Sequence, residues 1–200
     1  MRRSTYLAFS VVVLLVACAA RADSSVQEED PGMWRSPAFE DQVGPGRYRE
    51  VALHGADGKA RVLTALEGYF EYAGPMQISS GGIVRLHEIA MGLVVAEAEA
   101  SLHDRYYCTF ASVRTACVYA RETGAICDGS WRSDGLWATT SEQLVDIETL
   151  RVTAEEIASG AQELGGHIGN SYENLLRCDP PGNRNNVYYD EINRRRSPNG

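Results

Sequence analysis

The stretch from Ile147 to Cys178 constrains the fold of this chain more than any other. Positions spaced alternately by three and four residues are apolar or Cys at nine of ten places, and we call this set the seam: Ile147, Leu150, Ala154, Ile157, Ala161, Leu164, Ile168, Ser171, Leu175 and Cys178. Many of the positions between them are Glu, Gln or Ser. This spacing is typical of an amphipathic helix that packs against another element.

A second apolar stripe runs through residues 82–122. Its members also recur at intervals of three and four residues: Val95, Ala98, Leu102, Tyr106, Phe110, Val113, Cys117 and Ala120. The small residues 79–82 suit a helix start, and Gly124 suits a helix end. We therefore predict a mainly α fold in which two long antiparallel amphipathic helices pack through their apolar stripes.

A minor β element precedes these helices. Residues 47–54 and 59–66 flank a tetrapeptide with the sequence Gly-Ala-Asp-Gly at 55–58. Two short runs around such a turn are typical of a β-hairpin. The prediction is thus α+β in detail, with one globular domain over residues 47–178.

The first 22 residues have the layout of a secretory signal peptide. A pair of arginines precedes an apolar run over residues 6–17, and small residues follow up to Ala22. Within this stretch, Leu-Val-Ala-Cys at 15–18 resembles the lipobox of bacterial lipoproteins, in which Cys18 would carry the lipid. We expect an extracytoplasmic protein, either released to the secreted or periplasmic space or anchored through Cys18.

Two further segments lack any periodic pattern. Residues 23–46 are rich in acidic residues, Pro and Gly, and we predict a flexible leader or tether there. Residues 179–200 are rich in Asn, Arg and Pro, and we predict a disordered tail.

Four cysteines follow the signal peptide: Cys108, Cys117, Cys127 and Cys178. An even number in an exported chain predicts two disulfides. If residues 82–122 form a helix, Cys108 and Cys117 lie roughly 13 Å apart along its axis, which excludes their pairing. Two arrangements stay open, 108–127 with 117–178 and 108–178 with 117–127. The cysteine spacing does not suit zinc, and we expect no cofactor.

The charge of the chain narrows the class of partner. A net charge of −8 argues against nucleic-acid binding, which needs a basic surface to neutralise phosphates. It also disfavours charge-driven attachment to anionic lipid. We expect membrane contact only through the signal peptide or a lipid anchor.

One short motif suggests an enzymatic alternative. Residues 103–108 read His-Asp-Arg-Tyr-Tyr-Cys on a predicted helix, and this resembles the helix of secreted phospholipases A2. The resemblance implies that His103 is the general base for an attacking water and that Asp104 is a ligand of Ca²⁺. The Cys that precedes the His by three residues in that family is Ala100 here. The alternative function is therefore a calcium-dependent secreted lipid hydrolase.

The loop between the two predicted helices carries the leading candidate site. Trp131, Arg132 and Trp137 lie in a segment that is long for a helix connection. Aromatic and Arg side chains contribute disproportionately to protein interfaces, so these three residues predict a binding surface. The other interpretation is that the indoles fill the gap between the helices.

Together these observations favour a non-enzymatic protein. We predict an exported binding or structural protein of the cell envelope or secreted space. It would engage a protein partner or associate with itself, through the Trp loop or through an uncovered part of the seam.

Overall fold

The computed structural model describes residues 35–55, 57–65, 68–72, 75–96, 99–165 and 169–197. The predicted signal peptide and Cys18 lie outside these ranges. So does the first part of the predicted leader.

The described residues build one large antiparallel sheet. Its eight strands are β1 (Arg35–Gly44), β2 (Arg47–His54), β3 (Ala60–Thr64), β4 (Gly68–Glu71), β5 (Gln77–Ile78), β6 (Ile83–Ala96), β7 (Glu99–Ser112) and β8 (Val118–Glu122). The strand order is β1-β2-β4-β6-β7-β8, with β3 paired to β2 and β5 paired to β6. The predicted hairpin around the Gly-Ala-Asp-Gly turn is confirmed as β2 and β3, which pair along their length.

A smaller sheet and three short helices complete the described structure. The second sheet contains β9 (Gly129–Trp131), β10 (Trp137–Thr139) and β11 (Leu144–Val145). Short 3₁₀ segments span Gly124–Cys127 and Ile147–Leu150, and the helices are α1 (Ala154–Ser159), α2 (Tyr172–Cys178) and α3 (Asn186–Arg196). No helix among the described residues is long and apolar enough to cross a membrane.

The prediction of a mainly α fold with two long antiparallel helices is wrong. The longest helix among the described residues, α3, has 11 residues, and the region from 82 to 122 contains β6, β7 and β8. In this region Val84 and Leu86 are buried and Arg85 and His87 are partly buried, an alternation typical of a strand that the three- and four-residue spacing did not take into account. Its β-branched and aromatic residues favour strands, and in this fold they outweigh the helical spacing.

The seam is also not one helix, because capping residues divide it. Thr153 and Glu156 form a capping box that begins α1. Gly160, with a φ of 80°, ends α1 in the left-handed conformation that glycine adopts without strain. The Ser171 hydroxyl then accepts a hydrogen bond from the Asn174 N–H and begins α2. Five positions of the seam are buried in several short segments, namely Ile147, Ala154, Ile157, Leu175 and Cys178, whereas Leu150 and Ala161 are exposed.

Three apolar clusters hold these elements together. The main sheet contributes the first: Val51, Leu53, Leu63, Ala65, Phe70, Val84, Leu86, Ala111, Val113, Ala116 and Val118. The helices contribute the second: Val152, Ala154, Ile157, Ala158, Leu175, Tyr189 and Ile192. The third joins the main sheet to the smaller one: Ile83, Cys108, Phe110, Ala120, Trp137 and Ile147.

Two disulfides link the elements, as the sequence predicts. Cys108 pairs with Cys127 and Cys117 pairs with Cys178, with Cα atoms 5.3 Å and 4.7 Å apart. This is one of the two arrangements left open by the sequence. Cys108 and Cys117 do not pair, as predicted, but helical spacing is not the reason, because these cysteines do not lie on a helix. The disulfides are consistent with an extracytoplasmic protein.

Both segments predicted to be irregular contain regular structure. Part of the predicted leader is β1, which pairs with β2 from Arg35 to Gly44. Part of the predicted tail is α3, where Tyr189 and Ile192 are buried in the helical cluster. The Tyr189 hydroxyl donates a hydrogen bond to the Asp179 carbonyl at 2.6 Å, which ties α3 to the end of α2.

Candidate functional site

The β6–β7 hairpin is longer than the strands beside it. β6 and β7 pair continuously from Ile83 with Ser112 to Ala96 with Glu99. On one side, the pairing of β6 with β4 ends at Ala90, and on the other the pairing of β7 with β8 ends at Cys108. Beyond these points β7 is the only described strand that pairs with residues 91–96, and β6 is the only described strand that pairs with residues 99–107. We call this two-stranded extension the arm.

The arm exposes apolar side chains that the base of the same hairpin buries. Met91, Leu102 and Tyr106 are 43%, 66% and 56% exposed. Tyr106 lies directly opposite Ile89, which is 1% exposed. An isolated two-stranded ribbon with exposed apolar residues is marginally stable in water, so this surface suits burial against another chain.

The outer side of residues 91–96, here called the β6 edge, carries no charge. Its sequence is Met-Gly-Leu-Val-Val-Ala, and no described strand pairs with it on the side away from β7. Natural proteins protect free strand edges with charges, proline, bulges or a covering element, because free backbone N–H and C=O groups invite another strand. Residues 91–96 contain no charge and no proline, and no described strand pairs with them beyond β7.

The two ends of the main sheet, by contrast, are protected. β1 contains Pro37, Glu40 and Asp41, and Asp41 has a φ of 53° next to a register shift between Gln42 and Gly44. These features are the devices that discourage strand addition.

The opposite end is covered by a helix. Asn174 of α2 is 2% exposed, and its side-chain oxygen accepts a hydrogen bond from the Val118 N–H at 2.8 Å. Its amide nitrogen donates to the Val118 carbonyl at 3.0 Å, so one side chain occupies the backbone groups of β8 as a neighbouring strand would. The Cys117–Cys178 disulfide holds α2 at this edge.

A buried ion pair fixes the base of the arm. Glu88 is 1% exposed and accepts two hydrogen bonds from the Arg121 guanidinium, at 2.8 Å and 3.1 Å. The Thr109 hydroxyl donates to the same carboxylate at 2.8 Å, and the Arg121 guanidinium lies 3.6 Å from the centroid of the Tyr107 ring. Three strands are thereby joined where the arm begins.

A second polar cluster lies close to the same junction. The Nδ1 atom of His87 is 3.4 Å from Glu71 Oε2 without hydrogen-bond geometry, and the imidazole stacks on the Tyr106 ring with centroids 5.6 Å apart. A small cavity of ≈ 240 Å³ opens beside His87, Arg85 and Met76. Arg85 is already engaged, because it donates to the Cys127 carbonyl at 2.7 Å.

Tyr69 of β4 packs beside this junction. Burial raises the pKa of its phenol, and the guanidinium of Arg47, 4.7 Å from the ring centroid, acts in the opposite direction. The phenol is thus held neutral at physiological pH and behaves as part of the core.

The structure brings together two of the three residues of the predicted Trp loop. Trp131 and Trp137 lie opposite each other on β9 and β10, with ring centroids 5.0 Å apart. Trp137 is fully buried, packs edge-to-face on Phe110, and donates its indole N–H to the Ile126 carbonyl at 2.7 Å. Arg132 is exposed and contacts Asp134 at 3.3 Å.

The residues suggested by the phospholipase resemblance lie on a strand. His103 and Asp104 are exposed in β7, opposite Gly92 and Met91, and the helix implied by the resemblance is absent from this region. Adjacent residues of a strand point to opposite faces, so a base and its neighbouring calcium ligand would not converge. Among the described residues, no group of three His, Cys, Asp or Glu side chains could hold a metal ion. The residues present therefore do not fit a calcium site.

Comparisons with known proteins add no identity. No protein-family model, no curated protein and no solved structure matches this chain.

The arm was missed by sequence reasoning, and one signal for it was present. Residues 91–96 form an uncharged run with two consecutive valines, which is a strand signal.

Proposed function

We propose that this chain is an exported, non-enzymatic binding protein that engages a protein partner by strand addition to the β6 edge. The observation that supports this proposal is the difference between the β6 edge and the two ends of the main sheet. Both ends of the main sheet are protected, and six uncharged residues of the arm are not. In strand addition, backbone hydrogen bonds supply affinity and alternate side chains supply specificity.

Apolar surface and free backbone groups make the arm energetically unfavourable when no partner covers it. Met91, at the start of the β6 edge, is 43% exposed and belongs to none of the described clusters. An extended segment of a partner would cover this surface and satisfy the free backbone groups at the same time. Interfaces of this size are weak to moderate, so we expect micromolar affinity.

The test uses random linear peptides displayed on phage as the probe, with the immobilised protein as bait. We expect enrichment of peptides rich in β-branched and aromatic residues. Val94→Lys and Val95→Lys should each abolish their binding, because lysine on an edge strand opposes addition of another strand. Both variants are used because neighbouring residues of a strand point to opposite faces.

Val187→Lys is the matched control, since Val187 is 66% exposed on α3, away from the arm. It should retain peptide binding in full. Failure to enrich any peptide, or equal binding to the Val94→Lys and Val95→Lys variants, would contradict the proposal.

The Trp loop gives a second, smaller test of partner binding. Because Trp137 is buried, a contact there would involve Arg132 and the partly exposed Trp131. Arg132→Ala should leave peptide binding at the β6 edge unchanged. A loss in this variant would move the binding surface to the loop.

A further inference from the structure

The outer side of residues 99–107, here called the β7 edge, differs from the β6 edge in its charges. Alternate positions of the strand are Glu99, Ser101, His103 and Arg105, with the acidic residue at one end and the basic residues toward the other, and Asp104 belongs to the other set of alternate positions with Ala100 and Leu102. The described strands leave this edge unpaired until Cys108, where β8 begins to pair. A strand with opposite charges toward its two ends is complementary to an antiparallel copy of itself.

We propose that two copies of this chain associate by antiparallel pairing of their β7 edges, with Leu102 of each copy on the twofold axis. In this register Glu99 of each copy stands opposite Arg105 of the other, and Ser101 stands opposite His103. Symmetry makes each of these pairs occur twice. Directly opposed unlike charges stabilise an antiparallel pair.

Neighbouring registers are less favourable. Centring the pairing on Asp104 or on Arg105 places two like charges directly opposite each other, which is destabilising. Centring it on His103 opposes His103 to itself and Asp104 to Leu102, with no pair of unlike charges. Centring it on Ser101 pairs only residues 99–103 of the described edge, so the register on Leu102, which pairs residues 99–105, is favoured.

The side chains of the described part of this edge are free to make such contacts. Leu102 is 66% exposed, and residues 101 to 106 are all exposed. Ser101 Oγ and His103 Nε2 are 3.0 Å apart on one face of the strand, so this face presents polar groups side by side. Arg105 lies 5.4 Å from the centroid of the Tyr107 ring and has no carboxylate partner among the described ion pairs.

The arm provides the length that this pairing requires. Residue 105 of one copy faces residue 99 of the other, so the paired stretch stops short of Cys108 in both copies. The result is a four-stranded ribbon with a β6 edge on each outer side. The inference rests on the proposed function in using the arm as the interaction element, and it leaves both β6 edges open for partner segments.

A charge swap tests the pairing directly. The oligomeric state of the mature protein is measured by size-exclusion chromatography with light scattering across micromolar to submillimolar concentration. We expect a concentration-dependent dimer, and Glu99→Arg alone or Arg105→Glu alone should each raise the dimer Kd at least about tenfold. The double variant Glu99→Arg with Arg105→Glu should restore the dimer, because the opposed charges are again unlike. Glu173→Arg, at an exposed position on α2, is the control and should leave the dimer unchanged.

Cysteine cross-linking tests the register. Residues opposed on the axis have Cα atoms about 5 Å apart, within disulfide reach, so Leu102→Cys should cross-link two copies on mild oxidation. Ser101→Cys and His103→Cys place the two thiols off the axis, with Cα atoms about 8 Å apart, and should not cross-link. The unmodified protein supplies the background.

The outcomes separate this inference from the proposed function. A monomer at all concentrations, a dimer insensitive to the charge swap, or cross-linking at residue 101 or 103 in place of 102 would overturn the inference. Peptide binding at the β6 edge would survive each of these outcomes. Loss of peptide binding in Val94→Lys with an intact dimer supports both, and an intact dimer without any peptide binding contradicts only the proposed function.

Discussion

The base and the arm of the β6–β7 hairpin belong to the same two strands and differ in almost every physical respect. In the base, Val84, Phe110 and Ala111 are fully buried and the strands have sheet neighbours on both sides. In the arm, Leu102 and Tyr106 are more than half exposed and no further described strand pairs with either edge. The apolar residues of the base therefore stabilise the fold by burial, whereas the exposed apolar residues of the arm do not.

Replacing one large buried side chain and one exposed side chain of the arm by alanine tests this difference. Trp137→Ala should lower the free energy of unfolding by about 3–5 kcal/mol, because a buried indole leaves a cavity against Phe110 and Trp131. Leu102→Ala should change it by less than about 0.5 kcal/mol, because the side chain is mostly solvated. Urea denaturation followed by circular dichroism measures both.

Similar losses in the two variants would contradict the distinction. A large loss in Leu102→Ala alone would mean that the arm is part of the core. A small loss of unfolding free energy in Trp137→Ala would show that Trp137 is not part of the core and would support its place in the predicted binding surface.

A second prediction concerns the protected edge of the sheet. Asn174→Ala should lower the free energy of unfolding by about 1–3 kcal/mol, because the Val118 N–H and carbonyl lose their side-chain partner in a buried site. Leu176→Ala on the same helix should cost less than about 1 kcal/mol, since Leu176 is 37% exposed. Equal losses would show that Asn174 does not protect the edge as the geometry indicates.

The third and smallest effect involves the helical cluster, far from the arm in sequence. Burial raises the pKa of Tyr189 from 10.0 to about 12. The folded protein therefore holds the phenol proton more tightly than the unfolded chain does. This contribution to stability is complete below pH 10 and is lost as the pH rises toward 12.

Tyr189→Phe tests this by removing the titrating group. The variant should lose less stability between pH 10 and pH 12 than the unmodified protein, measured from urea midpoints at each pH. The same pH dependence in both proteins would show that the phenol is not held neutral by burial. The unmodified protein and Tyr189→Phe should dimerise through the arm to the same extent.

Local signals in the sequence predicted some elements well and others poorly. The β2–β3 hairpin was predictable because Gly58, with a φ of 72°, supplies the turn conformation between two strand-like runs. The number of disulfides was predictable because four cysteines follow an export signal, but the step that narrowed their arrangements to two assumed a helix that the structure does not contain. The capping residues Thr153 and Glu156 lay within the seam and marked a helix start that its apolar spacing concealed.

The arm and the edges could not be predicted because they depend on strand neighbours that are distant in sequence. Residues 93–102 contain no Gly, Asn, Asp or Pro, so the sequence carries no turn signal between β6 and β7. Val118 and Asn174 are 56 residues apart, and nothing in either local sequence indicates their contact. Which edge is free follows only from the complete strand order.

Amide hydrogen exchange, read by mass spectrometry on the unmodified protein and on Glu99→Arg, shows whether the β7 edge is paired in solution. We expect residues 99–105 to exchange more slowly in the unmodified protein, and residues 91–96 and the buried strands to exchange alike in both. Identical exchange over residues 99–105 in the two proteins would contradict the arm as an interaction element on that edge.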